Sequence, residues 1–573
     1  MAKGVMYVDN IRVEFDGEES VLKVCQKAGV EMPNFCFHSD LSVYGACRMC
    51  MVEDDKGHIE AACSMKPRDG LNIRTNTARI LKYRRMILDL LLSAHCRDCT
   101  TCEKSRSCRL QEMAMRFGIH KLHFEDTRPP LPVDNTSPAI TVDLNKCILC
   151  GDCVRVCKEV QGINNLRFVG RGPNLRIETA NGKPLSETNC ISCGQCSAVC
   201  TTGAITVKNE IGKAWRALQD PKMRVVVQIA PAVRVAIGEA YGLPAGENVL
   251  DKLVTALKIM GVDEVYDTIF GADLTTWEEA EEFKKRLATG ENLPLFTSCC
   301  PAWVKYVELE EPDLLKNLST TRSPMQIFGS VLKHDYKKKD LADGRTTFHI
   351  AIMPCTAKKM EAGREEFKVN GVPNVDLVLT TQEVIKMMKE SGIRFQMLEK
   401  ESPDLPYGMG SGAAEIFGST GGVAEAVVRY CIPDQSRNAL RILEHSGLRG
   451  EEPIRFATVP IGERDIHIAV VHGLATAKKL IAQIKSGEVK PDIVEVMACR
   501  TGCVGGAGQP YALMNKKVQR AAGLYEIDRS ATFKRPQRNP IIAAMYDNGL
   551  REQAHELLHV DYVKAGGGKE KKP

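Results

Sequence analysis

The chain carries 23 cysteines in 573 residues, most of them in tight clusters. Structural disulfides in such numbers belong to short secreted chains, whereas repeated Cys-x-x-Cys in a long chain points to metal. The N-terminal MAKGVMYVDN lacks a charged stretch followed by an apolar one, which argues against secretion. Tight CxxCxxC triplets favour iron–sulfur clusters over zinc, which prefers two separated pairs. The clearest signal is an internal repeat: Cys147-x2-Cys150-x2-Cys153-x3-Cys157 returns as Cys190-x2-Cys193-x2-Cys196-x3-Cys200. This is the run of a two-cluster ferredoxin, whose fourth cysteine crosses over. One [4Fe–4S] cluster is therefore expected on Cys147, Cys150, Cys153 and Cys200, and another on Cys190, Cys193, Cys196 and Cys157. The usual proline after each run is absent, Lys158 and Thr201 standing there, but no ligand is lost.

Two further sets precede the repeat. Residues 1–79 read as a small β-rich unit, with a hairpin turning at Asp9-Asn10 and a short helix over 21–28. In it Cys36, Cys47, Cys50 and Cys63 are spaced C-x10-C-x2-C-x12-C, which suits a [2Fe–2S] cluster enclosed by a glycine-containing loop, Tyr44-Gly45-Ala46. Residues 80–125 open with an apolar-periodic helix over 80–93, followed by His95-x3-Cys99-x2-Cys102-x5-Cys108. An imidazole can replace one thiolate on iron, but three cysteines and a histidine are also a zinc set, and the spacing alone leaves both open. Cys96 is a spare thiol beside this set. Residues 126–138 are proline-rich and polar and read as a linker, and 565–573 as a loose tail.

Residues 210–573 contain no CxxC and read as an α/β unit. Four apolar runs, 225–229, 293–296, 348–353 and 493–497, lead straight into 230–232 (APA), 297–303 (TSCCPAW), 353–355 (MPC) and 497–499 (MAC). Ligand sites in α/β folds lie beyond the carboxyl ends of strands, so four converging ends would build one buried pocket. Met353 and Met497, each just before a cysteine, are soft packing groups suited to a dry site. Glu279 and Glu282 are three residues apart on a helical pattern and so share a face.

These residues carry a resemblance. The Cys36 and His95 sets resemble those of the large iron–sulfur subunit of respiratory complex I and of the larger [FeFe]-hydrogenases, where a histidine and three cysteines hold a [4Fe–4S] cluster. TSCCPAW, MPCTAKKME (353–361) and EVMACRTGCVGGAGQP (495–510) resemble the three signature segments of [FeFe]-hydrogenases, and the resemblance covers essentially the whole chain, including HELLHVDY (555–562). The resemblance implies a multidomain α/β and α+β chain: a β-grasp [2Fe–2S] domain at 1–79, a small [4Fe–4S] domain at 80–125, a two-cluster bacterial ferredoxin domain at 139–209, and a large α/β H-cluster domain at 210–573. The last would be large-subunit-like to about 520 and small-subunit-like over about 535–564.

By the same resemblance, Cys300, Cys355, Cys499 and Cys503 hold the [4Fe–4S] part of an H-cluster. Cys503 would bridge to a two-iron subcluster carrying CO, cyanide and a dithiolate amine. Lys358 would donate a hydrogen bond to a cyanide, while Lys359 beside it reads as a solvated surface lysine. Phe417, Pro231 and Ala230 would shape the pocket with Met353 and Met497. Cys299 points away from its neighbour Cys300 and would relay protons along Cys299, Glu279, Ser319 and Glu282 to solvent. Ala232, Met325, Arg500-Thr501-Gly502 and Ala507 depart from the commoner family residues and bear on hydrogen bonds around the cluster.

The expected activity is reversible interconversion of H2 with protons and electrons. No GxGxxG with a following acid occurs, so no flavin or nicotinamide site is expected on this chain. Electrons would come from partners: a flavin-containing NAD(P)H-binding subunit, a small [2Fe–2S] subunit and ferredoxin, in an electron-bifurcating complex. The alternatives are a stand-alone ferredoxin-dependent hydrogenase, a redox sensor, or an electron-transfer subunit without H2 catalysis. A net charge of +5 and no long apolar run argue against nucleic-acid and membrane partners and for a cytoplasmic place. Cys25 and Cys431 read as small buried hydrophobes.

Overall fold

The computed structural model describes residues 3–125, 129–369, 371–434 and 436–563; the tail expected at 565–573 lies outside them. Backbone contacts divide the chain into two compact units. One comprises 1–159, 164–188 and 199–206; the other comprises 160–163, 189–198 and 207–573. The ferredoxin-like stretch thus contributes to both.

The first unit begins with the hairpin Lys3–Val8 and Ile11–Asp16, turned by Asp9 (φ 49) and Asn10 (φ 70). Both residues are left-handed, as a two-residue turn matching strand twist requires. Asp9 also accepts from Thr75 N at 2.7 Å, which fixes the strand Asn72–Arg74 parallel to Lys3–Val8. With Met51–Asp54 and Ile59–Ala61 these make a five-stranded mixed sheet. Helix Val21–Lys27 buries Val21, Leu22, Val24 and Cys25 in the adjoining core. Helix Ala78–Ser93, capped by Thr77 accepting from Ile80 N, meets helix Arg109–Arg116 over Leu88, Leu110, Met113 and Phe117. The described part of the expected linker, 129–138, is not loose. Asp134 bridges Val142, Leu131 and Asn145 exchange two hydrogen bonds, and Ser137 is buried. Prolines spaced the chain, but side-chain capping tied it down.

The second unit holds two four-stranded sheets rather than one. The first runs Glu264–Asp267, Met223–Ile229, Thr346–Met353, Leu377–Thr380, all parallel. The second runs Leu295–Phe296, Ile493–Met497, Arg464–His472, Ile454–Ile461, parallel except for the last pair. The burial patterns explain the difference. Ile493–Met497 is buried throughout, as a strand covered on both faces must be, whereas Ile454–Ile461 alternates buried and exposed. The long helices Ile269–Thr289 and Pro324–Asp343 pack together. The C-terminal strip is stitched to 320–322: Arg322 N donates to Leu558 O, Val560 N donates to Thr320 O, both at 2.8 Å, and Thr321 bridges His559. Among the described residues no helix is long and apolar enough to cross a membrane.

Candidate active site and cluster sites

All four apolar runs end at one cavity. Each sheet supplies two adjacent strands, so the cavity joins the carboxyl ends of both sheets. It measures about 90 Å3, and Cys300, Cys355, Cys499 and Cys503 line it with Ala230, Pro231, Met353, Met497, Phe417, Lys358 and Cys299. Ala232 and Met325, the departures noted above, stand on the same wall. The lining is almost wholly apolar apart from sulfur and Lys358. Burial raises the thiols of Cys300, Cys355 (to about 11), Cys499 and Cys503. Four thiols gathered where they resist ionising alone are a donor set that iron would convert to thiolates. The backbone leaves little slack: a Cβ on Gly506 would lie 2.2 Å from Pro354 O, and one on Gly502 (φ +86) 2.6 Å from Thr420 N.

Cys499 Sγ also receives a hydrogen bond from Gln195 Nε2 at 3.1 Å, and Gln195 donates again to Gly505 O at 3.2 Å. Sequence reasoning missed this residue because it sits inside a cysteine run that reads as a separate cluster site. Lys358 Nζ donates to Cys299 O at 3.2 Å and to Glu361 Oε2 at 2.7 Å. Burial by itself would lower the Lys358 ammonium, but the Glu361 carboxylate outweighs it and the group is raised. Ser323 Oγ donates to the same Glu361 oxygen, fixing it. Lys359, expected on the surface, is instead buried: it donates to Glu210, Glu383 and Val378 O.

Cys299 is enclosed by protein, opens onto the cavity, and lies near enough to feel the charge of Glu279. Glu279 and Ser319 are buried, and Ser319 lies near enough to act on the Glu279 carboxyl. Burial, with the Glu282 charge behind it, pushes the Glu279 carboxyl up to about 8. Its Oε2 has no protein partner. Ser319 Oγ donates to Glu282 Oε2 at 3.0 Å. The four groups named from the sequence thus form a file from the cavity outward. Arg234 braces the wall: it donates to Asp267 (2.6 Å) and Glu415 (2.9 Å), and all three are buried.

In the first unit Cys36, Cys47, Cys50 and Cys63 come together. Cys36 and Cys47 sulfurs lie 3.5 Å apart, Cys50 and Cys63 lie near enough to act on each other's ionisation, and Phe35 N donates to Cys47 Sγ at 3.4 Å. His95, Cys99, Cys102 and Cys108 line a second small cavity, with Cys96 also on its wall. The buried His95 Nε2 has no protein partner, which is what a nitrogen turned to a cluster needs. A Cβ on Gly203 would fall 2.6 Å from Cys102 Sγ, so the loop closes tightly over this site. Cys147, Cys150, Cys153 and Cys200 line a third. Cys157, whose sulfur accepts from Asn165 N at 3.3 Å, belongs to the first unit, and Cys190, Cys193 and Cys196 to the second. The sequence repeat recurs in the backbone: Leu149 and Ser192, equivalent positions, take φ of 56 and 58.

Comparison with known proteins assigns families to the regions that carry these residues. Residues 223–507 match "Iron only hydrogenase large subunit, C-terminal domain" and 514–565 match "Iron hydrogenase small subunit". Residues 5–78 match a 2Fe-2S iron-sulfur cluster binding domain, 84–123 the NADH-ubiquinone oxidoreductase-G iron-sulfur binding region, and 137–206 the ferredoxin-like domain of NADH-quinone oxidoreductase subunit 3. The chain is 38% identical to NADP-reducing hydrogenase subunit HndD of Solidesulfovibrio fructosivorans over 95% of its own length and 96% of that protein's. It is 33% identical to iron hydrogenase 1 of Clostridium pasteurianum, over 97% and 99%. The chain belongs to the [FeFe]-hydrogenase family. Its solved neighbours include an apo [FeFe]-hydrogenase HydA1 variant from Chlamydomonas reinhardtii, at 36% identity and TM-score 0.54, matching 63% of this hydrogenase and all of that chain. The hydrogenase is an iron hydrogenase catalytic subunit, with an H-cluster domain and 2Fe–2S and 4Fe–4S binding domains. The match over 84–123 favours iron over zinc at the His95 set.

Proposed function

We propose that the hydrogenase interconverts H2 with protons and electrons at an H-cluster held by Cys300, Cys355, Cys499 and Cys503. The observation that carries this is the meeting of those four thiols, from three distant segments, in one apolar cavity. When bound, that cluster supplies the iron pair at which H2 is made or split and an amine that exchanges protons. The chain does the rest. Met353, Met497, Phe417, Pro231 and Ala230 exclude water. Lys358, held by Glu361, presents an ammonium to anionic ligands. Cys299 passes protons to and from the cavity, Glu279 holds one near neutral pH, and Ser319 hands it to Glu282.

The accessory sites supply electrons: a [2Fe–2S] cluster on Cys36, Cys47, Cys50 and Cys63, and [4Fe–4S] clusters on the His95, Cys147 and Cys190 sets. We read the chain as the catalytic subunit of an NAD(P)H- and ferredoxin-linked, electron-bifurcating complex in the cytoplasm, partnered by a flavin-containing NAD(P)H-binding subunit and a small [2Fe–2S] subunit. The likeness to HndD supports this, since that protein's name makes it a subunit of an NADP-reducing hydrogenase. Infrared bands of metal-bound CO and cyanide, with H2 evolution from reduced dye, test the catalytic reading. Cys299→Ser should keep the bands and lose most turnover. Co-purification of a flavoprotein, and NADH-driven H2 release only with ferredoxin, test the complex; full activity with ferredoxin alone would leave a stand-alone enzyme.

A further inference from the structure

The route named from the sequence stops at Glu282 and assigns solvent as the next station. The Glu282 side chain is itself 12% exposed, but both of its oxygens are held. One of its oxygens is held by Arg286, whose guanidinium also donates to the carbonyls of Asn292, Asn317 and Leu318. A guanidinium donates at every nitrogen and has no acceptor with which to take a proton onward. The other oxygen accepts from Ser319 Oγ and, at 3.2 Å, from Thr320 Oγ1. Thr320 Oγ1 lies 2.9 Å from His559 Nδ1, and His559 Nε2 lies 3.0 Å from Glu278 Oε2. Glu278 also accepts from Tyr546 OH. The His559 and Glu278 side chains are 18% and 13% exposed, so the chain of contacts reaches the surface there.

We infer that His559 is the outer station of the proton route, exchanging protons between the surface and Glu282 through the hydroxyl of Thr320. This rests on the proposed route from Cys299 to Glu282. Inward transfer balances simply. A proton from water or Glu278 binds His559 Nε2. The Nδ1 proton passes to Thr320 Oγ1 as the threonine's own proton passes to Glu282. The imidazole is left as the Nε2–H tautomer, and a turn of the ring, which brings that N–H to Thr320 and the bare nitrogen to Glu278, restores the starting arrangement with one proton moved inward. Outward transfer is the reverse. An imidazole suits the task because it can donate at one nitrogen and accept at the other. The strip that carries it is fixed by the backbone bonds to 320–322, and Arg322 Nε donates to His559 O at 2.8 Å. The other charged and titratable groups around it are His555, stacked at 6.3 Å, Arg551 over the Tyr546 ring, and Arg286 beyond Glu282.

The test uses the matured full-length enzyme. His559→Ala should keep the CO and cyanide bands and lower H2 evolution from reduced dye on the order of tenfold. Free imidazole should restore it, with a pH profile that follows the added base. Thr320→Val should show the same loss without rescue by imidazole, and Thr320→Ser, which returns the hydroxyl, should recover it. Unchanged turnover in His559→Ala with Cys299→Ser inactive overturns the outer station alone. Unchanged turnover in both overturns the whole route. Should His559→Ala lack the infrared bands, the Thr320→Val and Thr320→Ser pair decides: equal turnover in the two overturns the proposal.

Discussion

Glu279 is a carboxyl kept near the proton by its surroundings. Its pKa rises from the ordinary 4.5 to about 8, through burial first and Glu282 second. The folded chain therefore binds this proton more tightly than the unfolded one. The stability it contributes is whole below about pH 4.5 and is lost as pH rises through about 8, at about 1.4 kcal/mol for each pH unit between. Glu279→Gln should remove that loss, so denaturant midpoints at pH 5 and pH 9 should differ less in the variant than in the parent; an equal difference would count against a buried, raised carboxyl. Gln195 acts at the same scale. Its N–H on Cys499 Sγ favours the more negative, reduced state of a cluster held there. Gln195→Leu should move that cluster's midpoint potential to more negative values, read by redox titration of its spectrum, with the thiol ligands untouched.

At the scale of elements, Arg234 ties together three walls of the cavity. It ends the short helix Pro231–Arg234, Asp267 ends a strand of the first sheet, and Glu415 ends the helix preceding Phe417. Removing the cation strands two buried carboxylates, a loss of about 3–5 kcal/mol. Arg234→Met should therefore lower the unfolding midpoint strongly, and Arg234→Lys, keeping the charge, should recover part of it. The elements differ in how far the sequence announces them. The continuous apolar runs at 225–229 and 493–497 were readable as buried strands, and the Asp9-Asn10 turn as a hairpin. That the runs divide between two sheets was not, because an apolar run does not encode its neighbour. Lys359 was misread for a related reason: its partner Glu210 lies 149 positions away. The cysteines were legible because ligand spacing is local and few alternatives share it. Gln195 and His559 were not, because each acquires its meaning from a partner more than 200 positions distant.

Across the whole molecule the cysteine sets fall in two units, and the proposed function asks electrons to enter at one and protons at the other. His95→Ala separates the two demands. It should cut H2 evolution driven by ferredoxin or the NAD(P)H-linked partner, yet leave evolution from a small reduced dye largely intact; equal losses with both donors would argue against an entry role for that cluster. The C-terminal strip has a different consequence. Thr320 and His559 stand 239 positions apart, and a ribosome makes the latter long after the former. A nascent chain that has just released Cys503 from the exit tunnel already owns every thiol of the cavity but not the imidazole, so on the proposed route the iron side of the molecule is written before its outlet for hydrons.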